Sequence, residues 1–178
     1  MILLGLGANL PSAAHGQPVA TLAAALVALA AEGVAVDRLS PWYRSAPVPA
    51  GDQPWYVNGV AAVTTGLAPA ALLELLHRVE RRFGRERRDR NEPRVLDLDL
   101  LDYDGLVEHG GATVLPHPRL HERRFVLAPM SELAPALIHP KLNASISEML
   151  AGLKSPFRVT LARADLLRPQ PSKKEATR

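Results

Sequence analysis

The sequence has no cysteine among its 178 residues. Disulfide bridges, thiolate metal sites and a cysteine nucleophile are therefore excluded, and the chain suits a reducing compartment. Long apolar runs are also missing, because the longest uncharged one, at 18–31, is too short to cross a bilayer and predicts a buried helix. The apolar start MILLGLG lacks the basic leader of a secretion signal. We therefore expect a cytoplasmic protein that does not contact a membrane.

A broad basic surface is missing as well, although the net charge is +3. Segment 81–94 holds seven arginines against three acidic residues, a local net charge of +4, so the rest of the chain is slightly acidic. Domains that bind nucleic acid spread their cations over a face or a stripe. A positive charge that is concentrated in one loop favours a small polyanion as the ligand and disfavours nucleic acid. A small basic module that binds DNA or RNA is the alternative, and its affinity would fall steeply with salt.

The remaining pattern predicts one α+β domain. Hydrophobic residues make up 47% of the chain, enough for a substantial core at this length, and no internal repeat is present. Apolar and β-branched runs predict strands at 1–6, 34–44, 55–65, 95–103, 112–115 and 157–161. Helical spacing and helix-starting residues predict helices at 18–31, 69–84, 122–133 and 145–153. We expect a mostly antiparallel sheet flanked by helices, in a single domain at 1–167 with a disordered tail at 168–178.

The most informative stretch joins an arginine-rich loop, 85–94, to an acidic strand. In the following VLDLDLLDYD, Asp97 and Asp99 share one strand face about 7 Å apart, and leucines alternate on the other face. Mg²⁺ takes one or two protein carboxylates and leaves its other positions for water and phosphate oxygens. Arginine binds phosphate oxygens in a planar, bidentate way. The stretch therefore favours a site for magnesium and a polyphosphate.

Each of these residues also has a simpler explanation. Taken alone, Asp97 and Asp99 would be solvated carboxylates on an exposed strand face. A glycosyltransferase D-x-D site is a rival, but it leaves the arginine loop unexplained. His77 and Glu80, three apart on a helix, would form a solvated polar stripe. Asn58 would be a turn residue at a strand end.

Two familiar binding motifs are incomplete. GLGANL at 5–10 begins like a dinucleotide-binding loop, but Leu10 replaces the third glycine, so a tight turn after a strand is the better interpretation. Segment 116–125 contains His117 and His121, but Pro118 lies between them and the helical H-E-x-x-H order is missing. Zinc is therefore disfavoured.

Five pieces of the sequence together resemble the 6-hydroxymethyl-7,8-dihydropterin pyrophosphokinase family of the folate pathway. They are GLGANL at 5–10, SPWYRSAPV at 40–48, QPWYVNGVA at 53–61, VERRFGRERRDRNEPRVLDLDLLDYDG at 79–105 and LPHPRLHERRFVLAPMSELAP at 115–135. The resemblance implies a ferredoxin-like α+β core. It also implies ATP and the reduced pterin as substrates, and AMP and the pterin diphosphate as products. We expect a monomer.

The resemblance further implies roles for individual residues. Asp97 and Asp99 would hold two Mg²⁺ ions, and Arg85 and Arg94 would act on the ATP phosphates from a closing loop. Asn58 would recognise the pterin edge, for which its amide offers both a donor and an acceptor. The other pterin contacts would be Ser45, Pro47, Val48, Tyr56 and Phe125. The other ATP contacts would be Leu73, His77, Glu80, Leu100, His117 and Arg123.

The loop departs from the family pattern in two places. Asn91 and Glu92 stand where the family often has tryptophan and glycine. The tryptophan that can help to seal the closed site is therefore missing, and Glu92 adds a negative charge to the loop.

Overall fold

Six strands and four α-helices make up the described part of the chain. This computed structural model describes residues 1–47, 52–85, 92–111, 113–154 and 159–161. The strands are β1 (Ile2–Ala8), β2 (Ala35–Leu39), β3 (Tyr43–Ser45), β4 (Tyr56–Thr64), β5 (Asp97–Tyr103) and β6 (Val159–Leu161). The helices are α1 (Pro18–Ala31), α2 (Pro69–Arg82), α3 (Arg124–Leu133) and α4 (Ile146–Gly152), and a short 3-10 helix spans Leu120–Glu122.

The strands form one antiparallel sheet with the order β5-β1-β4-β3-β6, and β2 also pairs with β4. The units β1-α1-β2 and β4-α2-β5 place β1 and β4 side by side at the centre. This is the strand order of a ferredoxin-like core. The predicted α+β fold, a mostly antiparallel sheet flanked by helices, is confirmed.

One face of the sheet packs against α1 and α2. Leu4 and Leu6 of β1 share a buried cluster with Leu22 of α1 and with Leu72 and Leu76 of α2, each at most 3% exposed. Both helices begin with a proline, at a position where the missing N–H would have no helical partner. The leucine spacing of α2 predicted this core face correctly.

The opposite face packs against α3 and α4 over part of its length. Leu3 and Leu101 share a second buried cluster with Leu127 and Met130 of α3 and with Ile146 of α4. Ser145 caps α4 in a complete capping box. The remainder of this face borders a cavity.

The strand expected at 34–44 is wrong in one respect, because two strands occupy it. The Oγ of Ser40 accepts the N–H of Val60 at 3.0 Å, and the N–H of Ser40 donates back to the Val60 carbonyl at 2.9 Å. Pro41 follows, and proline cannot donate to a strand ladder. The chain therefore leaves β2 here and resumes pairing with β4 at Tyr43.

Two further boundaries are corrected. Within the described residues, the strand expected at 112–115 is a single bridge between Glu108 and Leu115. The helix expected from residue 122 begins at Arg124, because the 3-10 helix precedes it. Val48, Ala112, loop residues 86–91 and the predicted tail at 168–178 lie outside the described residues. No described helix has the length and apolarity needed to cross a membrane.

Candidate active site

Asp97 and Asp99 extend from one side of β5, as the strand alternation predicts. Leu98 between them is 1% exposed in the core, whereas both aspartates are only partly buried. In the antiparallel register, Asp97 is opposite Gly7 and Asp99 is opposite Gly5 of β1. Gly7 leaves space beside Asp97, whereas the Leu101 side chain packs over Gly5.

Asn58 lies beside the same glycines, on the central strand β4. It is 6% exposed, and its Nδ2 donates to Ser45 Oγ at 2.9 Å. A Cβ added to Gly7 would lie 3.3 Å from the Asn58 Oδ1 and 3.6 Å from the Asp97 Cβ. An amide and a carboxylate are thus separated by a residue without a side chain. We call this side of the sheet, with Gly7, Asn58 and Asp97, the pocket face.

Phe125 borders the cavity on the pocket face. Val126 and the strand residues around Gly7 complete its lining. The cavity volume is about 30 Å³, room for one water molecule and not for a flat two-ring heterocycle. The Arg123 guanidinium lies 5.6 Å from the Phe125 ring centroid. A ring could enter only if this wall moved.

Three arginines surround the carboxylates. Nη1 of Arg85 contacts Oδ1 of Asp97, and Nη1 of Arg94 lies 2.7 Å from Oδ2 of the same carboxylate. Nη1 of Arg123 lies 3.5 Å from Oδ2 of Asp99. All three arginine side chains are at most 21% exposed, so solvent screens these pairs less than it screens surface pairs. Both oxygens of Asp97 therefore have a cationic partner.

Glu80 is not the solvated residue that its helical spacing alone predicts. It is 1% exposed in the last turn of α2, and Oε1 accepts the Leu98 N–H at 2.8 Å. The same oxygen contacts Nη1 of Arg85. A buried carboxylate requires such hydrogen bonds and a countercharge. Glu80 therefore joins α2 to β5 and orients Arg85 towards Asp97.

Arg85 also borders two larger cavities. One, of about 170 Å³, lies against α2 and is lined by His77, Glu80, Arg81 and Arg85. The other, of about 410 Å³, extends from Gly84 to Arg94. An elongated ligand that occupied both cavities would contact Arg85 and Arg94. Of the other residues proposed for the nucleotide, Leu73 is partly buried against the core, and Leu100 is 4% exposed within it.

His117 contributes a neutral ring to the site. Its backbone N–H donates to the Leu101 carbonyl at 2.8 Å, and its Nδ1 accepts the Arg119 N–H at 3.1 Å. Burial, and then the positive charge of Arg123, lower the pKa of His117 to about 4. The ring is therefore uncharged at neutral pH and can serve as a hydrogen-bonding partner.

Asp99 has a negative neighbour, Asp97, and a positive one, Arg123. Burial and the negative charge of Asp97 raise the pKa of Asp99 to about 6. Among the described residues, no three His, Cys, Asp or Glu side chains form a complete metal site. Two carboxylates without a third ligand match Mg²⁺, which completes its shell with water and phosphate oxygens. Asp97 and Asp99 therefore fit magnesium that a substrate helps to hold.

The other residues proposed to bind the heterocycle differ in which part of the site they contact. The Tyr56 hydroxyl donates to the Glu92 carbonyl at 3.1 Å, and Arg94 lies 5.9 Å from the Tyr56 ring centroid. Pro47 is buried, and Val48 is outside the described residues. The structure thus brings Asn58 and Phe125 to one cavity, bonds Ser45 to Asn58 from outside it, and connects Tyr56 to the arginine side.

The sequence interpretation missed two features of this site. The glycines of β1 were assigned to a turn, although Gly5 and Gly7 lie within the strand. Asn9 was also treated as part of that turn, yet it is 2% exposed and bonds to Arg94. Glycines at alternate positions of a strand indicate one side-chain-free face, a signal that was present in GLGANL.

The sequence matches one family model and several known proteins. The family model described as 7,8-dihydro-6-hydroxymethylpterin-pyrophosphokinase (HPPK) matches residues 3–135. A 2-amino-4-hydroxy-6-hydroxymethyldihydropteridine pyrophosphokinase of Methylorubrum extorquens is 42% identical over 136 residues, which cover 76% of this chain and 83% of that protein. The Folic acid synthesis protein fol1 of Schizosaccharomyces pombe is 36% identical over 124 residues, 70% of this chain and 17% of that longer protein.

A solved structure supports the fold. The crystal structure of Plasmodium falciparum HPPK-DHPS wild type with pteroate matches with a TM-score of 0.62 at 12% sequence identity. The match covers 84% of this chain and 41% of that chain. At this identity the likeness concerns the fold alone.

Proposed function

Because the chain belongs to the 7,8-dihydro-6-hydroxymethylpterin-pyrophosphokinase family, we propose that its pocket face carries out the reaction of that family. The chain is an ATP-dependent diphosphotransferase of folate biosynthesis. It transfers the pyrophosphoryl group of ATP to the hydroxymethyl oxygen of 6-hydroxymethyl-7,8-dihydropterin, and the products are the pterin diphosphate and AMP.

One observation carries the assignment of the site. The amide of Asn58 and the carboxylates of Asp97 and Asp99 line one cavity, beside which Arg85 and Arg94 reach Asp97. A pterin edge needs mixed donors and acceptors, and a phosphate chain needs cations. Groups that suit the pterin edge and groups that suit the phosphate chain therefore lie together on the pocket face.

On the pterin side, Asn58 binds the ring edge, and Ser45 holds the amide in place through its hydroxyl. Tyr56 and Phe125 supply aromatic surface for a flat ring, for which offset stacking is favourable. Pro47 and Val48 complete this side. Because the cavity is small, Phe125 moves outwards when the ring enters.

On the nucleotide side, Arg85 and Arg94 bind the phosphate chain and balance the charge that develops during transfer. Glu80 orients Arg85 through their ion pair. His117 and Arg123 lie on the Asp99 side of the phosphates, and the adenosine lies between Leu73 and His77 of α2 and Leu100 of β5. Positioning of the two substrates and polarisation of the pterin hydroxyl supply most of the catalysis.

Asp97 and Asp99 hold magnesium, and we propose two ions. When bound, Mg²⁺ neutralises phosphate charge and polarises the oxygens that it contacts. The two carboxylates lie two residues apart on one strand face, so each would be available to a separate ion.

The proposal extends to the whole chain. Residues 1–167 form a single domain that acts as a monomer on small molecules, without nucleic acid or membrane, in the cytoplasm. A nucleic-acid-binding module would instead bind DNA or RNA with a steep salt dependence and without the pterin. Sedimentation and a salt titration with a labelled duplex test these two points.

An assay of AMP formation that depends on the pterin tests the function. We expect Asp97→Asn and Asp99→Asn to lower kcat by at least about 10³-fold, because each removes a carboxylate charge where phosphate charge must be balanced. Asp102→Asn on the same strand is the matched control, since Asp102 is 3% exposed and accepts the Gly105 N–H, away from the site. Near-normal rates in both site variants would exclude the assignment.

A further inference from the structure

Asn9 lies at the end of β1, where the segment before β5 passes it. Both polar atoms of its side chain are hydrogen-bonded: Oδ1 accepts the Arg94 N–H at 2.7 Å, and Nδ2 donates to the Pro54 carbonyl at 3.1 Å. The backbone N–H of Asn9 donates to the Arg94 carbonyl at 3.0 Å. The residue is only 2% exposed. Asn9 therefore contacts two segments that are distant in sequence.

These bonds fix the Arg94 backbone on both sides of its Cα. Its N–H and its carbonyl both bond to Asn9, and the Leu10 N–H donates to the same carbonyl at 3.2 Å. The Arg94 side chain starts from this fixed point and reaches Oδ2 of Asp97 at 2.7 Å. An arginine that must meet a phosphate in one geometry benefits from a fixed backbone, because less freedom is lost on binding.

The other hydrogen bond reaches the side of the site that binds the pterin. Pro54 lies two residues before the start of β4, whose Asn58 lines the cavity of the pocket face. The Asn9 amide group is therefore bonded both to Arg94, which we propose to bind the phosphates, and to Pro54, which leads into the strand that carries Asn58. Rotation of that amide would disturb both.

We propose that Asn9 is a positioning residue, which sets Arg94 relative to Asp97 and couples this arginine to the pterin strand. The inference rests on the proposed function, because it requires Arg94 to act on the phosphates. Asn9 lines none of the three cavities of the site and acts through its neighbours. A residue with a purely structural role would change stability alone.

A double-mutant cycle on AMP formation tests the proposal with Asn9→Ala, Arg94→Ala and the pair. A misplacement of about 1 Å costs about 10²-fold in rate, so we expect Asn9→Ala to lower kcat by at least about tenfold. The Kd of an ATP analogue with Mg²⁺ should change by less than about twofold, since ground-state binding has other contacts. In the Arg94→Ala background, Asn9→Ala should change kcat little further. Equal losses in both backgrounds overturn the proposal.

Asn9→Asp separates the two hydrogen bonds and keeps the shape of the side chain. It retains the acceptor for the Arg94 N–H and places an oxygen against the Pro54 carbonyl. We expect kcat closer to wild type than that of Asn9→Ala, together with weaker pterin binding in calorimetry. If the Asp and Ala variants lose kcat equally, the bond to Arg94 is not what matters, and the proposal fails.

Ser145→Ala is the matched control for stability. It removes the capping box of α4 and should lower the melting temperature without changing kcat in either background. A wild-type chain that forms no AMP would refute the proposed function itself. An active wild type with full kcat in Asn9→Ala would refute only the positioning role.

Discussion

At the scale of single residues, Gly7 contributes through the side chain that it lacks. It lies within β1, so its backbone is extended and would accept alanine. A methyl group there would lie 3.3 Å from the Asn58 Oδ1. The space beside this amide is therefore part of the pterin pocket that we propose.

Gly7→Ala should weaken pterin binding while leaving nucleotide binding nearly intact. Overpacking costs 1–3 kcal/mol, so we expect the pterin Kd to rise by about tenfold or more. Isothermal titration with the pterin and, separately, with Mg²⁺ and an ATP analogue measures the difference. Gly66→Ala is the control, because a Cβ there meets no atom within 4 Å. An unchanged pterin Kd in Gly7→Ala would place the ring elsewhere.

Residues differ in how far the sequence determines their role. Asp97 and Asp99 could be predicted because strand alternation is local and depends on nothing else in the chain. Glu80 could not be predicted as buried from spacing alone, because its partners Leu98 and Arg85 come from other segments. The family resemblance assigned it to the site without this physical reason.

At the scale of elements, two arginines that precede β5 pair with the first residue of that strand. Arg85 and Arg94 occupy the two oxygens of Asp97, a residue that we propose to bind magnesium. If Asp97 binds magnesium as proposed, the ion would compete with both arginines for the same carboxylate.

Arg94→Gln should strengthen the binding of Mg²⁺ to the free protein. Loss of one cation at 2.7 Å leaves Oδ2 of Asp97 open. Two opposite charges about 4 Å apart attract by about 1 kcal/mol in water and by more when they are buried, so we expect the Mg²⁺ affinity to rise about fivefold. Calorimetry without nucleotide measures it, with paramagnetic Mn²⁺ as a second probe.

Arg82→Gln is the matched control for this exchange. Arg82 is 58% exposed and pairs with Glu32 at 2.9 Å, away from Asp97. Its replacement should leave the metal affinity unchanged. Weaker or equal binding in Arg94→Gln would show that the arginine and the ion do not compete.

Elements were predictable where the pattern is local. The helices at 18–31 and 69–84 were predicted almost to the residue, since proline and leucine spacing define them. The division of 34–44 was not, because the bond between Ser40 and Val60 joins residues 20 apart. Pro41 was the local sign of that break.

At the scale of the whole molecule, the sheet joins both halves of the site. β4 pairs with β1 on one side and with β2 and β3 on the other. β6 adds to β3, where Val159 pairs with Ser45. The residue that orients the Asn58 amide therefore lies beside the last described strand.

Two truncations test the proposed domain boundary. A chain that ends at Leu167 should keep its kcat and melting temperature, because the sequence beyond it carries no predicted element. A chain that ends at Lys154 loses β6, so β3 becomes an edge strand; we expect a melting temperature lower by roughly 5 °C and weaker pterin binding. Differential scanning calorimetry and the AMP assay measure both. Equal behaviour of the two chains would contradict the role of β6.

The paired arginines on Asp97 have a further consequence for the enzymatic cycle. If Asp97 holds magnesium as proposed, Arg85 and Arg94 would take the place of the metal whenever it is absent. Nothing would then oblige the enzyme to retain a metal after each round, and it would sense cellular magnesium only through the fraction of ATP that carries it.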